Sequence, residues 1–220
     1  MGEREYFDRE HFEPYAGKIR YVHALVRLLA RYGVPDGRVL DIGSGFGFFL
    51  RALEESAYEP YGLEVSEYAR ERAREHTSAP IVTQSADDTL PFDTGFFDAV
   101  TMFDVIEHVE DYPSMLGECR RTLRPGGRIF VATPSGHSIA RFLLGRRWSW
   151  YKDPTHVHMF TPGSLERALK EAGFDQVESM TYFNFYIVGD ATTSLRPLRR
   201  VGRFVRMPLV GDSVLAVGTS

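Results

Sequence analysis

The chain has 220 residues, 43% hydrophobic and 25% charged, with a net charge of −4. A chain of this length buries roughly 70% of its unfolded surface, so it needs neither disulfides nor a metal to fold, and its composition excludes disordered and collagen-like classes. Its single cysteine, Cys119, rules out an internal disulfide and a cysteine-built zinc site and favours a reducing compartment. The negative balance offers no general attraction to nucleic acid. No apolar run approaches the length of a membrane span, and scattered charges occupy the first twenty residues where a leader would be apolar. A single cytoplasmic domain over 1–220 is expected, without stable membrane insertion.

Taken in order, residues 1–36 read as a polar, aromatic cover followed by an amphipathic helix over 18–32, with Ile19, Val22, Val26 and Leu29 at helical spacing and Gly33 and Pro35 as the stop. Apolar runs at 38–42, 60–65, 80–83, 97–103 and 127–132 then alternate with helix-length stretches at 47–56, 66–76 and 111–123. That rhythm predicts an α/β fold, a parallel sheet with helices on both faces. After Pro134 it breaks. Residues 135–161 form an insert rich in Trp, Arg and His. A helix opens at Thr161-Pro162-Gly163-Ser164 and ends at Gly173, a strand falls near 174–183, and the last strand runs from Ser213 to Gly218. Within 190–210, an Arg-rich helix sets Arg196, Arg199, Arg200, Arg203 and Arg206 on one stripe.

The chemistry starts at Val39-Leu40-Asp41-Ile42-Gly43-Ser44-Gly45-Phe46-Gly47, an apolar strand running into a glycine turn and a helix. Such a turn brings backbone close to a ligand at the first strand–helix crossover. Asp41 at the strand end repels a pyrophosphate and attracts an ammonium group. The spacing is G-x-G-x-G, with Phe48 and Leu50 in place of the later glycine of a dinucleotide site, and Glu64 closes the second strand 17 residues past Gly47, where it can accept from a ribose diol. An acid for an amine and another for a ribose favour S-adenosylmethionine (SAM) over NAD.

With those residues in place, the chain resembles a class I SAM-dependent methyltransferase of the small-molecule branch that includes ubiquinone-biosynthesis and sugar or natural-product enzymes. Phe97-Asp98-Ala99-Val100, Asp104-Val105-Ile106-Glu107-His108-Val109, Leu123-Arg124-Pro125-Gly126-Gly127-Arg128, Asp153-Pro154-Thr155-His156-Val157-His158 and Gly211-Asp212-Ser213 extend the likeness over nearly the whole chain. The resemblance implies a Rossmann-like, seven-stranded, mostly parallel sheet with an antiparallel last strand and a lid-like insert after the fifth. It implies SAM across the ends of the first four strands, released as S-adenosylhomocysteine. Asp41 would then meet its amino group, Gly43, Ser44, Gly45 and Gly47 its methionine and ribose, Glu64 the ribose diol, and Val65 the adenine. Ala86 or Asp87 would stand at the adenine amine, Phe103 at the methionine end, and Tyr6, Phe7 and Arg20 in the N-terminal cover.

Methyl transfer to a hydroxyl calls for a base of near-neutral pKa. His156 and His108 are the catalytic candidates, with His158 beside the acceptor; alternation along an extended segment turns His156 and His158 the same way. Trp148, Trp150 and Tyr151 beside Arg146 and Arg147 suit a sugar, an aromatic ring or an anion. Asp104, Glu107 and His108 would share a face for a divalent cation if the chain were helical there, but the same residues also make a local hydrogen-bonded cluster, and no metal is expected. The turn after the fourth strand lacks the [DNS]-P-P-[FY] of base and glutamine methylation. The expectation is O-methylation of a small molecule such as a sugar, polyketide or quinone-like hydroxyl. N-methylation of an amine, an NAD-dependent oxidoreductase and a non-catalytic SAM-binding module stand as alternatives, and a homodimer is compatible with all of them.

Overall fold

The computed structural model describes residues 19–86, 89–138, 141, 143, 145, 148, 151, 153–182 and 211–220. Tyr6, Asp87, Trp150 and the arginine stripe at 196–206 lie outside them, as do the side chains of Ile19 and Arg20. Helix α1 (Ile19–Arg31) leads into β1 (Gly37–Ile42), α2 (Phe48–Glu54), β2 (Tyr58–Leu63), α3 (Glu67–Ala73), the two-residue β3 (Ile81–Val82) and β4 (Phe97–Phe103). A 3₁₀ turn (Ile106–His108), α4 (Tyr112–Thr122), β5 (Leu123–Pro134), α5 (Pro162–Glu171), β6 (Asp175–Tyr182) and β7 (Ser213–Thr219) follow.

Side-chain chemistry sets the helix starts. Ser66 accepts the N–H of Ala69 to open α3, and Asp111 accepts that of Ser114 to open α4. Thr161 and Ser164 exchange bonds in a capping box at α5, with Pro162 in the first turn, where its missing N–H costs nothing.

The seven strands lie in the order β3-β2-β1-β4-β5-β7-β6. The first four neighbour pairs are parallel, and β7 runs antiparallel to both β5 and β6. One face buries Leu40, Ile42, Val100, Met102, Ile129 and Val131 against Leu116 and Cys119 of α4 and Leu165 and Leu169 of α5. The other buries Val39, Ala99, Phe130 and Leu215 against Leu25, Leu29, Phe49 and Leu53 of α1 and α2. Each such aliphatic or aromatic side chain contributes about 1.5–3 kcal/mol relative to exposure. Burial on both faces explains why the central strands read as apolar runs rather than alternating ones.

Two expectations need correction. The fifth strand begins at Leu123, not 127, because Leu123 pairs with Phe97 before a register shift carries the ladder on to Arg128 opposite Ala99. The segment after β4 is not helical at Asp104, whose φ of 55° is left-handed, so Asp104, Glu107 and His108 do not share a helical face.

Candidate active site

The ends of β1, β2 and β4 place two acids side by side. Asp41 is buried, and its Oδ1 accepts the hydroxyl of Thr101 at 2.7 Å across the β1–β4 ladder. Removal from water, partly offset by that bond and reinforced by the charge of Glu64, pushes the Asp41 carboxyl up to about 7. Glu64 is buried too, its two oxygens accepting the N–H groups of Gly45 and Ser66, each at 2.8 Å. One carboxylate therefore fixes both the glycine turn and the start of α3.

The turn itself is forced. Gly43 has φ 74°, and a Cβ there would stand 2.3 Å from Cγ2 of Val105, so the glycine loop and the turn after β4 pack directly on each other. Gly47 also has φ 74°, with Thr77 Cγ2 at 2.9 Å from any added Cβ. The Ser44 hydroxyl is buried with no hydrogen-bond partner among the described residues. Val65 is 65% exposed directly beyond Glu64. Phe103 packs edge-on against Phe49, ring centres 5.4 Å apart, and Ala86 is half-buried against the core.

A second group forms where the insert crosses the end of β4. The carbonyl of Glu107 accepts the N–H of Val157 at 2.8 Å and of His158 at 3.1 Å. The Glu107 side chain is buried; its Oε2 accepts the Thr133 hydroxyl at 2.9 Å, while Oε1 has no hydrogen-bond partner of good geometry among the described residues. Burial, with the charge of Asp104 adding to it, raises this carboxyl well above the usual range. The rings of His108 and His156 lie 4.7 Å apart. Nδ1 of His108 stands 2.8 Å from the Thr155 hydroxyl, and Nε2 of His156 stands 4.0 Å from Asp153. Burial and the neighbouring His156 lower the pKa of His108. His158 is anchored by Nε2 at 3.1 Å from the Glu110 carbonyl and by its edge-on contact with Tyr112.

The structure thus brings Asp41, Gly43, Ser44, Gly45, Gly47, Glu64 and Val65 into one region, and His108, His156 and His158 into another. Trp148 is buried, its ring 5.7 Å from that of the exposed Tyr151. Ligand atoms of Glu107, His108 and His156 all lie within 4.8 Å of one another, a spacing that one divalent cation could bridge. His156 thus takes the place that sequence spacing gave Asp104. Sequence reading missed Thr101, Thr133 and Asp153. The signal for the first two was a hydroxyl inside an otherwise apolar strand.

A glycine turn between buried acids at the first crossover, on a sheet of this order, suits the class of enzymes that take an amino-acid nucleoside. Residues 9–179 match the model of the methyltransferase-domain family, and the chain belongs to it. It is 33% identical over 189 residues to the ubiquinone biosynthesis O-methyltransferase of Xanthomonas oryzae pv. oryzae (strain PXO99A), covering 76% of this chain and 77% of that one. The enzyme of the same name from Thiobacillus denitrificans is 31% identical over 158 residues, 66% of this chain and 68% of the relative. A SAM-dependent methyltransferase from Archaeoglobus fulgidus shares the fold over 100% of both chains, with a TM-score of 0.71 at 19% identity. Phosphoethanolamine N-methyltransferase 2 of Haemonchus contortus, solved with SAM, matches 100% of this chain and 60% of its own with a TM-score of 0.65 at 17% identity.

This chain is a SAM-dependent methyltransferase, and SAM is its cofactor. The dinucleotide and non-catalytic alternatives fall away. The residues present fit that cofactor: two buried acids beside a glycine turn suit a cationic amino-acid nucleoside, and the buried Ser44 hydroxyl, with no hydrogen-bond partner among the described residues, is free to make a further polar contact. Among the described residues, no helix is long and apolar enough to cross a membrane.

Proposed function

We propose that the enzyme methylates a hydroxyl oxygen of a small-molecule acceptor, with His156 taking the acceptor's proton. The observation that carries this reading is the paired imidazoles of His108 and His156, 4.7 Å apart, at the end of β4. The turn that leads from β4 to His108 packs on Gly43 through Val105, which ties the first of the two imidazoles to the glycine loop.

Asp41 receives the cofactor's amino group in this reading. Gly43, Ser44, Gly45 and Gly47 follow its methionine and ribose, Glu64 takes the ribose hydroxyls, Val65 and Ala86 flank the adenine, and Phe103 borders the methionine end. Bound there, SAM supplies an activated methyl group on a sulfonium. What remains for the protein is to align the acceptor oxygen, exclude water and accept a proton. His108, pinned by Thr155, holds the ring of His156 in place, and Asp153 faces the imidazolium that forms. Trp148, Tyr151 and His158 frame the acceptor side of the insert.

Methyl transfer from labelled SAM to a panel of phenols, sugars and amines tests the proposal. Label is expected on oxygen; turnover of amines alone would overturn it.

A further inference from the structure

Thr101 is a hydroxyl-bearing residue in the interior of the sheet, where valine would ordinarily sit. Its face of β4 is otherwise apolar on either side, at Ala99 and Phe103, and it is fully buried. In register it stands opposite Asp41, and its Oγ1 lies 2.7 Å from Oδ1 of Asp41 and 3.2 Å from the Leu40 carbonyl. A threonine hydroxyl has one proton, and with Asp41 ionised the shorter, charge-assisted contact takes it: Thr101 donates to the carboxylate. Among the described groups, those acting on Asp41 are this hydroxyl and the carboxylate of Glu64. They act oppositely, Thr101 favouring the anion and Glu64 opposing it.

We propose that Thr101 is a positioning residue for the cofactor, its hydroxyl holding Oδ1 of Asp41 against β4 so that Oδ2 is turned to the amino group of SAM. The inference rests on the reading that Asp41 meets that group. Without the hydroxyl, the buried carboxyl loses its one described hydrogen-bond donor and swings or protonates. Valine at 101 preserves the volume of the strand and removes only the proton donor, and serine keeps the donor with one methyl fewer.

The experiment is isothermal titration of the purified full chain with S-adenosylhomocysteine between pH 6 and 9, for wild type, Thr101→Val, Thr101→Ser and Asp41→Asn. Thr101→Val is expected to bind about tenfold more weakly at pH 7, the usual effect of losing a hydrogen bond to a charged group. The pH at which its affinity falls should move upward, because Asp41 is harder to ionise. Thr101→Ser should restore most of the affinity and the wild-type midpoint. A purely structural role would not move the midpoint. Should Thr101→Val not fold, Thr101→Ala against Thr101→Ser reads the same difference. If Thr101→Val matches wild type while Asp41→Asn is weakened, the role of Thr101 is overturned and that of Asp41 stands. If Asp41→Asn also matches wild type, the reading of Asp41 itself fails.

Discussion

The carbonyl of Glu107 accepts the N–H of Val157 at 2.8 Å, so the insert is tied to the end of β4 by main chain, one residue from His156. The candidate base is therefore positioned in part by a backbone bond that its own side chain does not make. Because that tie does not involve the imidazole, His156→Ala leaves it intact. We expect this variant to slow turnover by about a hundredfold or more, the usual contribution of a general base, with affinity for S-adenosylhomocysteine unchanged in calorimetry. Loss of cofactor binding alongside turnover would make His156 structural.

Asp41 gives a pH dependence with a definite sign. Its carboxyl rises from 3.8 to about 7 in the folded chain, so the free protein carries it protonated below about pH 7. An ammonium ligand prefers the anion. Affinity for S-adenosylhomocysteine is thus expected to level off above pH 7 and fall about tenfold per pH unit below it, and Asp41→Asn should be weaker and flatter. The same raised pKa acts on stability. Its contribution in the ligand-free protein is fully present below about pH 4 and is lost as pH climbs through 7. Thermal melts across that window, with and without ligand, measure both effects.

Glu107 combines a buried carboxyl with a raised pKa and a bond to the Thr133 hydroxyl. Glutamine can keep that bond without a charge, whereas alanine leaves a cavity and an unsatisfied hydroxyl. Glu107→Gln should fold as well as wild type or better toward high pH, where the buried acid is disfavoured. Glu107→Ala should lose about 2–4 kcal/mol in urea unfolding. Equal loss in both variants would show that the ionised carboxylate stabilises the fold.

Chelation decides what the Glu107, His108 and His156 cluster does. On the base reading, EDTA followed by desalting leaves turnover within about twofold, since water exclusion and a base suffice for methyl transfer. Loss of activity restored by a divalent cation would reassign the three side chains to a metal.

The central strands were legible in the sequence because burial on both faces leaves continuous apolar runs: 38–42 and 97–103 match β1 and β4 to within a residue. The glycine turn and its two acids were legible for a related reason, since their spacing is local. What escaped depends on contacts distant in sequence. Thr101 meets Asp41 only through the β1–β4 register. The left-handed Asp104 breaks the helical spacing that linked it to Glu107 and His108, and His156 reaches that cluster from an insert nearly fifty residues on. The run at 80–83 narrows to Ile81–Val82, paired with β2 at the edge of the sheet.

The most direct measurement is a crystal structure with S-adenosylhomocysteine bound. The account predicts the amino group within hydrogen-bond distance of Asp41, the ribose hydroxyls on Glu64, and the sulfur opening toward His156. A ligand whose amino group avoids Asp41, or whose sulfur faces away from the His108–His156 pair, would contradict it.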